Sequence, residues 1–212
     1  MRVVVLANAN QREELRSSGV NEEMNLVSVN TLDELRQYFN AACVIDLLFD
    51  GSNERIAVLR NFSLVIINSV IHSLSRLNVP FVRINAWPGF LQRTIIEASC
   101  INTDLKQQAE NIFAGFNKQT CWLDDKTGFA TARVLATIIN EAWFALQENV
   151  STKNEIDTAM KLGTNYPFGP FEWCERIGVK NIYGLLNELA KTDSGYEPAA
   201  LLKKEATQWR SS

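Results

Sequence analysis

The sequence lacks the cysteine pairs that build a disulfide or zinc framework. Its four cysteines, Cys43, Cys100, Cys121 and Cys174, are far apart and form no Cys-x-x-Cys pair. Each lies in an apolar segment, so buried, reduced thiols are expected, as in a cytosolic protein. Histidine is scarcer still: His72 stands alone. No metal site is expected from so sparse a set. A basic surplus is also missing. The formal net charge is −3, and the lysines and arginines are scattered without forming a stripe. That leaves no electrostatic reason to expect a nucleic-acid partner. There is no uninterrupted apolar run of about 18 residues, so no membrane span is expected. The opening MRVVVLANANQ has an apolar run too short for a signal peptide. There is no internal repeat and no low-complexity tract.

What is present is a large apolar fraction. Forty-six per cent of the 212 residues are hydrophobic, enough for a sizeable core. In the first half, short apolar runs alternate with polar helical stretches. Residues 2–7, 25–29, 43–49, 64–69 and 81–86 read as strands. Residues 10–18, 32–40 and 53–61 read as helices, with Gly19 able to stop the first and Thr31 capping the second. Such alternation predicts a parallel sheet covered by helices, a truncated Rossmann-like domain over 1–100.

The second half changes character. A helix is expected over 104–117, and CWLDD (121–125) reads as a short strand or extended link. From Thr127 a helical pattern runs for more than twenty residues and is apolar around most of its circumference. Ser151 or Thr152 caps the next helix, with Glu155 placed for a capping box and Gly163 ending it. Gly169-Pro170 then opens a helix that stops at Gly178. Two more helices, near 180–191 and 198–210, finish an all-α domain over 101–212.

The stretch IDTAMKLGTNYPFGPFEWCERIGV, above all its Tyr166–Glu172 segment, resembles the C-terminal domain of the 3-hydroxyacyl-CoA dehydrogenases. The preceding DDKTGFATARVLATIINEAWFALQEN resembles that family's long central helix. The resemblance implies an NAD-holding Rossmann domain and a helical domain that closes over acyl-CoA and forms a homodimer. It also implies a histidine that takes the hydroxyl proton, a glutamate that orients it, and serine and asparagine side chains on the substrate oxygen.

Several positions depart from that pattern. The family's phosphate loop is Gly-rich, whereas Ala7, Asn8, Ala9 and Asn10 stand here, with no glycine before Gly19. The acidic residue that holds the ribose maps onto Asn30. Asn8, Asn10 and Asn30 are therefore the candidates for any contact with NAD. The family's histidine maps onto Asn85, in NAWPGFLQRTIIE, and its glutamate onto Glu97. An amide accepts no proton at neutral pH. The substrate-holding asparagine maps onto Ala132. The polar turn maps loosely onto INSVIHS, with Asn68, Ser69 and His72. His72 is either a displaced base or a histidine at a strand end. Glu97 is either the partner of Asn85, a helix-surface carboxylate, or an ion-pair partner of Arg93 or Arg133. Trp87, Pro88 and Phe90 either wall an acyl channel or seal a joint between domains. Two functions follow. One is a divergent NAD-dependent dehydrogenase. The other is a non-catalytic, cytoplasmic homodimer that binds acyl-CoA-type molecules or a partner.

Overall fold

The computed structural model describes residues 1–208. The chain divides into two compact units, one ending at Phe129 and the other starting at Ala130.

The first unit is built on a seven-stranded sheet. In chain order its elements are β1 (Arg2–Leu6), α1 (Ala9–Arg16), β2 (Asn25–Val29), α2 (Leu32–Leu35), β3 (Cys43–Asp46), α3 (Asn53–Leu59), β4 (Val65–Asn68), α4 (Leu74–Leu77), β5 (Val82–Ile84), β6 (Ile95–Cys100), α5 (Asp104–Ala114) and β7 (Gln119–Trp122). The strand order is β2-β1-β3-β4-β5-β6-β7. Val3, Val5, Ile45 and Ile66 join a core that includes Leu15 of α1 and Ile112 and Phe113 of α5. Val4, Leu6, Val44 and Ile67 join a second core with Leu35, Val58, Leu59 and Leu74. Successive strand residues point to opposite faces, and helices cover both. That is why the strands read as continuous apolar runs.

The first five strands are parallel, as expected, but β6 runs antiparallel to β5 and β7 runs parallel to β6. Strand β6 was not foreseen. Its polar residues Glu97 and Ser99 and the preceding Gln92-Arg93-Thr94 mask an alternation in which Ile96 and Ala98 are buried. The short link from β5 returns the chain antiparallel, whereas α5 provides the longer crossover that parallel pairing needs. Because β6, α5 and β7 all belong to the sheet, the first unit extends well past the boundary expected at residue 100.

Local signals behave largely as their chemistry dictates. The Thr31 side chain accepts from Glu34 N–H, but the helix it starts tightens into a 3-10 turn at Arg36–Tyr38. Cys43 and Cys174 are buried, whereas Cys121 is exposed, against the expectation of four buried thiols. Cys121 lies on an edge strand, which has neighbours on one side only.

The second unit holds α6 (Phe129–Gln147), α7 (Lys153–Thr164), α8 (Pro170–Ile177), α9 (Val179–Ala190) and α10 (Ala200–Gln208). Residues 209 and 210 of the last expected helix lie outside the described residues. By length and mean hydropathy (1.2), α6 is apolar enough to cross a membrane, although 44% of that window is buried. Arg133, Asn140 and Glu141 interrupt its apolar run without lowering the mean below that level. Thr152 and Glu155 form the expected capping box on α7. Gly163 does not end that helix. Asn165, at φ 55°, is its left-handed cap.

Candidate functional site

The carboxyl ends of the parallel strands form one edge of the sheet, and the expected site residues lie along it. Asn30 follows β2, Asn8 follows β1, Asn68 ends β4 with Ser69 after it, and Asn85 follows β5. In open α/β sheets, ligands bind beyond this edge where the strand order reverses, which here is beside β1 and β3.

At that point the chain bonds to itself. The Asn8 side chain accepts from Gln11 N–H at 2.9 Å, and the Gln11 side chain accepts from Asn8 N–H at 3.1 Å. This reciprocal capping box closes the start of α1. Gln11 Nε2 also donates to the Leu47 carbonyl at 2.9 Å, bridging the ends of β1 and β3. Asn68 Nδ2 donates to the same carbonyl at 3.4 Å. Asn30 is engaged too. Its Oδ1 accepts from Arg12 at 2.9 Å, and its N–H donates to Glu34 at 2.9 Å. Asn10 sits exposed on the first turn of α1.

At the other end of the edge, Asn85 and Glu97 meet. Asn85 N–H donates to the Glu97 carbonyl at 3.1 Å, a continuation of the β5–β6 pairing. Asn85 Nδ2 then donates to Glu97 Oε2 at 2.8 Å. Glu97 is thus a strand residue and not a helix-surface carboxylate. Asn85 is buried and Glu97 half-buried. Asn68 Oδ1 accepts from Ala86 N–H at 3.1 Å, which ties the end of β4 to this pair. Ser69 Oγ donates to the His72 carbonyl at 2.7 Å, so the serine hydroxyl holds the turn that carries His72. Trp87 and Phe90 are buried and meet edge-to-face with centroids 6.5 Å apart. Gly89 N–H in the same turn donates to both Glu14 carboxylate oxygens, at 2.9 and 3.0 Å.

Three charged residues of this unit escaped the sequence reading. Asp46 is fully buried at the end of β3. Burial pushes its carboxyl up to about 7, although Arg55, with Nε 3.6 Å away, and Leu48 N–H both lower it. Desolvation therefore outweighs this ion pair. Arg83 is also fully buried. It pairs with Asp125 at 2.7 Å, donates to the carbonyls of Ser69 and Lys126, and stacks 4.1 Å from the Phe129 ring centroid. Burial raises the Asp125 carboxyl, but donors from Leu74 and Ser75 and the Arg83 charge prevail and hold it below the usual range. The signal for Asp46 and Arg83 was a lone charge inside an apolar run, in CVIDLLF and FVRINA.

Comparison with known proteins bears on both units. Residues 128–210 match the family described as 3-hydroxyacyl-CoA dehydrogenase, C-terminal domain. The helical unit is a 3-hydroxyacyl-CoA dehydrogenase C-terminal domain. The chain is 36% identical over 134 residues to the 3-hydroxyadipyl-CoA dehydrogenase of Escherichia coli, covering 62% of this chain and 28% of that protein. It is 35% identical over 100 residues to the 3-hydroxybutyryl-CoA dehydrogenase of Bradyrhizobium diazoefficiens, covering 46% and 34%. The chain therefore spans about a third of the length of these curated relatives. Its fold is similar to that of the (S)-3-hydroxybutyryl-CoA dehydrogenase of Ralstonia eutropha, with a TM-score of 0.75 at 17% identity over 97% of this chain and 93% of that one. The Rossmann-like layout of the first unit and the helical second unit are thus both those of a dehydrogenase fold. Within the dehydrogenase-type helical domain, Ala132 is buried on α6 and offers no polar atom where a substrate-holding asparagine was sought.

Proposed function

We propose that this chain is a divergent 3-hydroxyacyl-CoA dehydrogenase-like protein that does not perform NAD-dependent oxidation of 3-hydroxyacyl-CoA. In this reading it acts in the cytoplasm as a homodimer that binds acyl-CoA-type molecules. The observation that carries the reading is the Asn85–Glu97 pair. The Asn85 amide donates a hydrogen bond to Glu97 but takes up no proton at neutral pH, so it cannot stand in for the family's histidine. General acid–base catalysis is typically worth about 10²–10⁴-fold, and the Asn85 amide supplies none of it.

The β1–α1 turn supports the same reading. A pyrophosphate must approach backbone N–H groups closely, which is the purpose of glycines there. Here the Gln11 N–H is taken by the Asn8 side chain, and no glycine stands between β1 and α1. These residues do not fit NAD. The family's ribose carboxylate is represented by Asn30, a neutral amide already bonded to Arg12. Dimer formation is supported by α6, of whose apolar window 44% is buried, and by exposed Val134, Val150 and Leu162.

The test is steady-state NADH oxidation with acetoacetyl-CoA, beside a thermal-shift series with NAD, NADH, CoA and acetoacetyl-CoA. No turnover, no NAD shift and a shift with acyl-CoA are expected. Robust turnover abolished by Glu97→Gln would refute the reading and return His72 to consideration as the base. Light scattering that gives a monomer at micromolar concentration would refute the dimer.

A further inference from the structure

We propose that the loop joining β3 to α3, residues 47–52, is a pH-sensitive switch in which ionisation of Asp46 draws the Arg55 guanidinium away from Asp50. This goes beyond the function proposed above and does not depend on it. Asp46 ends β3 between Leu6 of β1 and Ile67 of β4, which pair with it in register and bring no charge. Its side chain is wholly buried. Oδ1 accepts from Leu48 N–H at 3.0 Å, whereas Oδ2 is buried without a hydrogen-bond partner. A neutral acid tolerates that position at modest cost, and a carboxylate does not. Arg55, from α3, has its Nε 3.6 Å from Asp46 Oδ2 and 4.0 Å from Asp50 Oδ1. Both distances lie beyond hydrogen-bond reach, so the cation is shared and committed to neither. Its Nη1 donates to the Leu48 carbonyl, which gives the guanidinium a fixed pivot.

Arg55 and Asp50 are the charges that act on Asp46. Of the helices on that face of the sheet, α2 turns Asp33 to Arg36 and Glu34 to the Asn30 N–H, α3 turns Glu54 to Arg36, and Arg76 on α4 is exposed. Burial pushes the Asp46 carboxyl up to about 7, so its two forms exchange near neutral pH. Asp50 is mostly exposed, and donors from Ser52 together with the Arg55 charge hold its carboxyl below the usual range. Below the midpoint one carboxylate, Asp50, holds the cation. Above it the proton leaves Asp46 for solvent, and a buried carboxylate with a bare oxygen outcompetes a solvated one for Arg55. The guanidinium then swings about the Leu48 carbonyl toward Asp46, and Asp50 loses its tie to α3. Gly51, at φ 77°, is the hinge beside it. Leu47 stays in place, because its carbonyl accepts from Gln11 and Asn68, which do not titrate. The loosened stretch is therefore Asp50–Ser52, at the carboxyl edge of the sheet beside β1.

The experiment is nuclear magnetic resonance of the full chain from about pH 5 to about pH 9, following the Asp46 carboxyl carbon and the backbone amides. The Gly51 and Ser52 amides should titrate with the Asp46 carboxyl. Their hydrogen exchange, relative to an unstructured peptide at the same pH, should quicken several-fold above the midpoint, and that of Leu47 should not. Asp46→Asn should abolish the loop's response, which separates Asp46 from His72 in the turn after β4. Asp50→Asn should lower the Asp46 midpoint, since it removes both a like charge and the competitor for Arg55, and Arg55→Met should raise it. If Arg55→Met fails to fold, as judged by circular dichroism, Asp50→Asn at its exposed position decides. Loop amides that do not titrate in wild-type protein would overturn the proposal. So would a loop response that persists in Asp46→Asn, or an Asp46 midpoint unmoved by Asp50→Asn.

Discussion

Replacing Gly169 by alanine should destabilise the helical unit far more than one methyl group suggests. The backbone there is ordinary, with φ −71°, so conformational freedom is not why glycine is needed. The reason is close approach. A Cβ at this position would lie 2.3 Å from Asp157 Oδ1 and 2.4 Å from its Cβ and Cγ. Asp157 is buried, and its two oxygens accept from Phe171 N–H at 2.8 Å and Glu172 N–H at 3.2 Å. It caps the start of α8 from another helix. The new methyl must push the carboxylate away or shift the first turn of α8. Each bond to a charged acceptor is worth about 1.5–3 kcal/mol. Loss of both sets the cost at about 3–5 kcal/mol, a large share of the ~5–15 kcal/mol that holds a typical domain folded. The melting temperature should fall by about 10 °C. Gly163→Ala is the internal control. That glycine is helical, and nothing lies within 4 Å of a Cβ built on it. Alanine should stabilise there by about 0.5–1 kcal/mol. Urea denaturation followed by circular dichroism measures both. If the two variants have the same midpoint, the close-approach argument is wrong.

Asp46→Asn should stabilise the protein at pH 8 and do little at pH 4. The folded carboxyl titrates at about 7 against an ordinary 3.8, so the native state binds the extra proton and wild-type stability falls as pH rises through that window. The full loss is about 4 kcal/mol above pH 7, it vanishes below pH 4, and denaturation across pH should show the slope in wild type only. Asp125→Ala should cost about 3–5 kcal/mol, because it strands the buried Arg83 guanidinium without its carboxylate; a loss below 1 kcal/mol in urea would show that the two carbonyls and Phe129 suffice. Asn85→His should place an imidazole beside Glu97 yet leave NADH-dependent reduction of acetoacetyl-CoA undetectable, because the β1–α1 turn is unchanged. Measurable turnover by that single variant would show that the dinucleotide still finds a place.

Much of the fold could be read from local chemistry. Thr31, Thr152 with Glu155, and Gly169-Pro170 each start a helix where their hydrogen-bonding capacity requires it. Strand β2 was legible to the residue because polar neighbours bound it on both sides. Strand β6 was not, because one of its neighbours pairs antiparallel after a turn rich in aromatic residues, and its inward residues are only Ile96, Ala98 and Ser99. The domain boundary was lost with it, since residues 101–122 looked detached from a sheet whose sixth strand had not been seen. The site divides in the same way. The pairing of Asn85 with Glu97 was legible through a family spacing of twelve residues, and the structure brings the two side chains to 2.8 Å. The partnerships of Glu14 with Gly89 and of Arg83 with Asp125 span 75 and 42 positions, and no local pattern announces them.

Along the edge of the sheet the polar groups bond to one another. A site built for a ligand leaves donors and acceptors unsatisfied until the ligand arrives, at a cost in stability. Here Asn8 and Gln11 satisfy each other, Gln11 and Asn68 share the Leu47 carbonyl, Asn30 holds Arg12, and Asn85 holds Glu97. Each contact stabilises the chain in the absence of any dinucleotide. An ordinary hydrogen bond contributes about 0.5–1.5 kcal/mol net, and one to a charged group about 1.5–3. Breaking the reciprocal Asn8–Gln11 pair alone would therefore cost about 1–3 kcal/mol.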